Sequence, residues 1–219
     1  MAKAVKAPRR AYRSRLRADQ AQQTRRRVLE SALQLFVDRG YAGTTVAAVA
    51  DHAGVSPETI YLSLGGKRGL LEGVMDITGP HGSAADDDQW WRMVAQLPSA
   101  SERLDKMVEY SCRIMARTQP IHAIIRGAAD KEAFAAAFGR RLLQERLHNQ
   151  TQRIRHYLAG HLRPGLSVQE AGERYCALAS PDLYHLLTVE LAWTPDQHRD
   201  WLAHLLHTEL LGASASHRR

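Results

Sequence analysis

The stretch from Thr45 to Leu64, TVAAVADHAGVSPETIYLSL, brings small, hydroxyl and aromatic side chains together at spacings suited to docking rather than to bond-making. Ala50, then Gly54 four residues later, then Ile60 six residues after that, is the pattern of two short helices crossing steeply. Ala50 is small enough for the crossing, and Gly54 tolerates the dihedrals of the turn. Val49, Val55, Ile60 and Leu64 are the apolar anchors. The second helix then turns Pro57, Glu58, Thr59, Leu62 and Ser63 outward, where they could enter a major groove. An ordinary two-helix corner can share this spacing, so charge has to separate the two readings.

Lys67 and Arg68 open the next helical run, at the end where a helix dipole favours acids. Cations there make sense where a phosphate docks on the free N–H groups of the same turn. The chain as a whole is +7, and residues 1–27 hold ten basic side chains against Asp19 alone, a local charge of +9 that leaves −2 elsewhere. A basic arm on a near-neutral body points to a polyanion, either nucleic acid or an anionic membrane face. No strongly apolar face accompanies the arm within residues 1–18, which disfavours the membrane.

The elements that must hold these residues are helices. Residues 1–18 lack apolar periodicity and read as a flexible arm. Val28, Ala32, Leu35 and Phe36 give a first helix from about Asp19 to Arg39, stopped by Gly40. Thr44 or Thr45 caps the second, and Ser56-Pro57-Glu58 starts the third with a hydroxyl cap, Pro in the first turn and an acid behind it. A fourth begins at Lys67. Gly79 to Ser83, followed by Asp86-Asp87-Asp88, reads as a boundary loop, with Trp90-Trp91 either covering the junction or anchoring that loop. Helices are then expected over about 101–118, 121–129, 131–162, 168–179, 181–192 and from 194 to about 211. The fold class is all-α: an arm (1–18), a DNA-binding domain (19–79), a larger helical domain (80–212) and a flexible tail (213–219).

Other classes lose support. At 219 residues and 24.5 kDa, with no apolar run near the length of a membrane span, the chain reads as globular and non-membrane. The basic start has no apolar segment behind it, so a secretory signal is not expected, although an Arg-rich presequence has similar composition. Cys112 and Cys176 are too few for a disulfide framework and read as buried thiols, which fits a reducing cytoplasm. No Gly-x-Ser-x-Gly, nucleotide-cradling loop or nucleophile–base signature is present, so no enzyme and no cofactor are expected. His198, His204 and His207 lie close together, but without a His-Glu-x-x-His or Cys/His cluster they imply no metal.

The run from Arg26 to Met75 resembles the N-terminal domain of the TetR family of bacterial transcription regulators. The matching features are Ala32-x-x-Leu35-Phe36, Gly40-Tyr41-x-x-Thr44-Thr45, Val46-x-x-x-Ala50-x-x-Ala53-Gly54-Val55-Ser56, Ile60-Tyr61, Gly66-Lys67 and Leu70-Leu71. Pro181 to Leu202 is similar to the last helices of many members, whereas residues 80–165 match only in being helical. The resemblance implies that Thr45, Tyr61 and Lys67 contact phosphates. It makes Pro57, Glu58, Thr59, Leu62 and Ser63 candidates for base edges, with Ser56 at the head of their helix. Thr59 suits a thymine methyl and Glu58 a cytosine amino group. Leu64 and Ser63 depart from the family, which usually carries an aromatic and a His or Tyr there. The resemblance also implies a homodimer on a palindromic double-stranded DNA operator, released by a small-molecule effector. Tyr110, Met115, His122, Arg126, Phe138, Tyr157 and Tyr175 are the pocket candidates, and Tyr184, Leu187 and Leu191 the dimer candidates.

Overall fold

The computed structural model describes residues 9–79 and 84–211, and among these the side chains of 17–79 and 87–211. Helices account for the architecture, with no strand among the described residues. The chain divides into two compact units that part between Ile77 and Thr78.

The first unit contains α1 (Arg9–Gly43), α2 (Val46–Ala53), α3 (Pro57–Leu64) and most of α4 (Lys67–Thr78). In its core Val28, Leu29, Ala32, Leu35 and Phe36 of α1 meet Val49 and Ala50 of α2, Ile60 of α3 and Leu70, Leu71 and Val74 of α4, all essentially inaccessible; Leu29 adds to the expected face, and the expected anchor Val55 is half-buried. α1 leaves helical geometry at Gly40 (φ 70°, ψ 171°), and the buried Thr44 hydroxyl shares its hydrogen between the carbonyls of Leu35 and Gly40 at 3.0 and 2.9 Å. The choice between two caps for α2 is thereby resolved: Thr44 fastens the end of α1 and Thr45 caps α2. Gly54, at φ 64°, closes α2 in the left-handed region, and Val55 N–H reaches back to the Ala50 carbonyl at 3.0 Å.

One boundary differs from expectation. α1 begins at Arg9, so residues 9–18 are helical rather than an arm without structure. No Gly or Pro interrupts the chain between Arg9 and Gly40, and Arg, Ala and Gln are good helix formers. An apolar stripe is a sign of packing, and a helix can form without one.

The second unit holds α5 (Ala84–Ala95), α6 (Ala100–Ala129), α7 (Ala133–Tyr157), a short 3₁₀ turn (Ala159–His161), α8 (Val168–Leu178), α9 (Pro181–His185) continuing as a π-turn (Leu186–Glu190), and α10 (Pro195–Leu206) with a second π-turn (His207–Leu211). Leu104, Met107, Val108 and Met115 of α6, Ile154 of α7, Tyr175 of α8, and Leu202 and Leu206 of α10 form its core. Capping boxes at Ser99/Glu102, Ser167/Glu170 and Thr194/Gln197 start α6, α8 and α10. Two expected breaks are absent. Asp86-Asp87-Asp88, expected in the boundary loop, lie in helix α5, and α6 runs through Pro120, joining the two segments expected over 101–118 and 121–129. Buried Ile121, Ile125 and Ala128 continue the inward face of α6 beyond the proline, so packing overrides the lost backbone bond. The expected tail at 213–219 lies outside the described residues.

Candidate nucleic-acid interface

Ser56 and Pro57 dictate where α3 starts: the Ser56 hydroxyl accepts from Thr59 N–H at 3.3 Å, and Pro57 fills the first helical position. Buried Ile60 and Leu64 fix the inward face, so Glu58, Thr59, Tyr61, Leu62 and Ser63 are exposed by geometry. Leu62 is 89% and Tyr61 59% accessible, unusual for large apolar side chains on a helix this short. The Tyr61 ring lies over Gly66, where an added Cβ would come within 3.0 Å of it. That contact holds the phenol at the edge of the α3 surface.

At the start of α2, Thr45 sits exposed in extended geometry, its oxygen accepting from Ala48 N–H at 3.1 Å. The hydroxyl hydrogen remains available to donate outward, beside the unbonded N–H groups of the first turn. At the start of α4, Lys67 Nζ donates to the Ala42 carbonyl at 3.3 Å and stands 4.4 Å from the centre of the Tyr41 ring. These contacts fix the ammonium beside the α1–α2 junction. Glu58 stays ionised below the ordinary carboxylate range, held there first by a backbone N–H and then by the Ser56 hydroxyl. It is therefore an acceptor, the form that recognition of a cytosine amino group requires.

Ser63 is exposed and Ser56 caps the helix, and both hydroxyls also make contacts within it. The Ser63 hydroxyl donates back to the Thr59 carbonyl at 2.6 Å, and the Ser56 hydroxyl lies 3.2 Å from that of Thr59 as well as capping the helix. Both are engaged within α3, as short hydroxyl side chains on helices commonly are. Sequence reasoning missed Arg25, whose guanidinium donates to the Ser63 carbonyl at 3.1 Å and ties α1 to the end of α3. Its position three residues before the first buried residue of α1, Val28, was the available signal.

The second unit distributes its candidates unevenly. Tyr110 and Tyr157 converge on Trp91, with ring centres 4.8 and 5.5 Å from it. The Arg153 guanidinium stands 4.4 Å from the Trp91 ring centre and 4.9 Å from that of Tyr110. Tyr110 donates to Asp87 at 2.8 Å, and burial, reinforced by that bond, pushes its hydroxyl up to about 12. Met115 and Tyr175 belong to the packed core, Tyr175 being 3.0 Å from the Ser111 hydroxyl. Phe138 stacks on Phe134 at 5.9 Å, apart from that cluster. His122 is brought down to about 4 by burial, then by Arg146 and Arg126, so it is neutral at neutral pH. Arg126 is ion-paired with Asp182. The two do not form a doubly cationic pair. An open cleft of about 330 Å³ is lined by Asp88, Trp91, Arg92, Ala95, His156 and Tyr157.

Of the dimer candidates, Tyr184 and Leu187 are buried in the chain's own unit and Leu191 is 57% accessible. The physical reason is the π-turn: Leu191 N–H bonds Leu186 O at 2.9 Å, five residues back, which breaks the stripe that a regular helix would have carried. The exposed large apolar side chains of this segment are Leu186, Val189 and Leu191.

A two-helix corner with a left-handed glycine turn, an exposed second helix, and hydroxyl and ammonium groups at its margins has the geometry of a helix-turn-helix. Residues 28–74 match the sequence model described as bacterial regulatory proteins, tetR family. Over 52 residues the chain is 40% identical to the HTH-type transcriptional regulator YvkB of Bacillus subtilis, a match spanning 24% of this chain and 28% of that relative. In three dimensions it is similar to a TetR-family transcriptional regulator from Syntrophomonas wolfei, with TM-score 0.72 and 14% identity over 90% of this chain and 99% of the other. The SmeT–triclosan complex is a second such neighbour, with TM-score 0.66 and 14% identity over 88% and 93%. The likeness to the TetR family thus rests on residues 28–74 in sequence and on the fold over the rest of the chain. The matched family and the B. subtilis and S. wolfei relatives are described as regulators of transcription, which are not enzymes. Among the described residues no helix is long and apolar enough to cross a membrane, and no group of three metal-ligating side chains occurs.

Proposed function

We propose that the chain is a homodimeric cytoplasmic repressor that binds a palindromic double-stranded operator and leaves it when a small molecule binds the second unit. The observation that carries this reading is the exposed face of α3, flanked by the Thr45 hydroxyl and by Lys67. Thr45, Tyr61 and Lys67 hold phosphates and set the register. Glu58, Thr59 and Leu62 read base edges. Pro57 starts the helix at the right depth, while Ser56 and Ser63 stiffen it. In the dimer two copies of α3 enter successive major grooves about 34 Å apart.

For the effector, SmeT with triclosan is a neighbour of like fold, and the aromatic group of Trp91, Tyr110 and Tyr157 beside the open cleft suits an aromatic small molecule. Such a ligand shifts the equilibrium only by its differential affinity for the released conformer. For the dimer, Leu186, Val189 and Leu191 supply the apolar contact.

The deciding experiment is anisotropy binding of the full chain to labelled duplex from upstream of its own gene, with random competitor and a salt series. Steeply salt-dependent, competitor-resistant binding is expected. Equal competition by random duplex overturns the operator reading for that DNA. In parallel, sedimentation of Val189→Glu should give a monomer where the parent is a dimer, and an unchanged dimer refutes that face.

A further inference from the structure

From Arg9 to Arg27 the chain carries eight arginines and one acid, Asp19, a net charge of +7, without a single lysine. The same segment is the first half of α1. Residues 17–23 are exposed without interruption, nearly two helical turns, so no face of the helix leans on the unit there; packing starts at Val28. The helix is thus a rod leaving the first unit. Its root is placed by Arg25, whose guanidinium donates to the Ser63 carbonyl in the last turn of α3. The rod therefore departs from beside the recognition helix, on the side that faces DNA.

We infer that the segment Arg9–Arg25 is a helical strut that lies along duplex phosphates outside the half-site read by α3. This rests on the DNA-binding reading above and adds a second, sequence-independent contact surface. At about 1.5 Å per residue the strut is about 24 Å long, the rise of about seven base pairs. Arg9, Arg13 and Arg17 are spaced four residues apart, a like-charge column that destabilises an isolated helix. A row of phosphates is its complement. The choice of arginine fits, because its planar fork pairs with phosphate through two hydrogen bonds. A rigid strut also differs in effect from an extended arm threading a minor groove: it needs its helical form and duplex beneath it, and it reads no bases.

The test uses the full chain and an operator selected by it from a random duplex library, rebuilt with flanks of zero, five and ten base pairs. Affinity should rise about ten-fold or more with flank length and level off near seven base pairs. Replacing Arg9, Arg10, Arg13, Arg15 and Arg17 together by Gln should remove that gain and lower the salt slope by about 0.9 for each phosphate the strut no longer neutralises. Ala21→Pro keeps every charge and lies ahead of the first packed residue; it should also remove the gain while the melting temperature and flank-free binding stay as in the parent. Parent-like binding by Ala21→Pro on the flanked operator overturns the strut in favour of a structureless tether. Flank-independent affinity overturns the contact altogether, and so does salt-sensitive binding to phosphatidylglycerol vesicles without any flank effect. A selection that enriches no sequence removes the DNA-binding reading itself, an outcome distinct from a selected operator indifferent to its flanks.

Discussion

The capping role of Thr45 and the phosphate contact proposed for it can be separated by substitution. Its oxygen caps α2 by accepting from Ala48 N–H at 3.1 Å, and its hydrogen is free to donate to a phosphate. Thr45→Asp keeps the first and reverses the second. Aspartate caps at least as well as threonine and favours the helix dipole by about 0.3–1 kcal/mol, so the melting temperature should hold or rise by about 2 °C. The carboxylate cannot donate, and it faces the phosphate with like charge. Losing one hydrogen bond to a charged group is worth about 1.5–3 kcal/mol, which is roughly a ten- to hundred-fold loss of affinity. Because phosphates carry no sequence information, operator and random duplex should lose alike. Thr45→Ser should behave as the parent, and Thr45→Ala should lose both affinity and about 1 kcal/mol of stability. Anisotropy on both duplexes, with thermal melting of the same samples, reads the two duties separately. An aspartate variant that binds both duplexes like the parent would refute the phosphate role of the α2 N-terminus.

Three further outcomes follow from individual contacts. Glu58→Gln should change the preferred base at one operator position in a selection experiment without altering the salt slope; because the carboxyl is held low, the parent's preference should stay constant as pH falls from about 8 to about 5. Gly172→Ala places a Cβ against the Thr151 side chain, where α8 crosses α7, and should cost about 1–3 kcal/mol by overpacking, read as a fall of several degrees in melting temperature that Thr151→Ala partly restores. His122, buried neutral at about 4 against an ordinary 6.5, makes the unfolded chain the better proton acceptor between those values. Stability is therefore full above 6.5 and declines as pH drops through that window, and His122→Leu should flatten the decline in denaturant midpoints.

The first unit was largely legible because its signals are local. Caps, the glycine turn and a short apolar repeat each act within a few residues, and together they placed α2 and α3 and named their exposed faces. Two features escaped for opposite reasons. Residues 9–18 carry no apolar stripe in the sequence, so periodicity could not report their helical form. The Arg25–Ser63 contact spans 38 residues and joins a side chain to a backbone carbonyl, which any residue type at position 63 would supply. The bonds that the Ser63 and Ser56 hydroxyls make within α3 were likewise not legible from residue type alone.

The second unit shows where helical periodicity misleads. A stripe of Tyr184, Leu187 and Leu191 assumes about 3.6 residues per turn. From Leu186 the backbone bonds five residues back, so each turn takes up an additional residue and the stripe rotates off its face. Tyr184 and Leu187 keep the inward direction set by α9, with Tyr184 meeting His198 edge-on at 4.8 Å. Leu191, beyond the wide turn, points out with Leu186 and Val189. One segment thereby carries two surfaces, an inner one that packs against α10 and an outer, exposed apolar one. A regular helix would present one continuous stripe and would have to choose between them. Restoring regular winding by deleting one residue within Leu186–Glu190 should therefore affect assembly more than folding, because the inner contacts upstream of the turn remain in register while the outer three are redistributed.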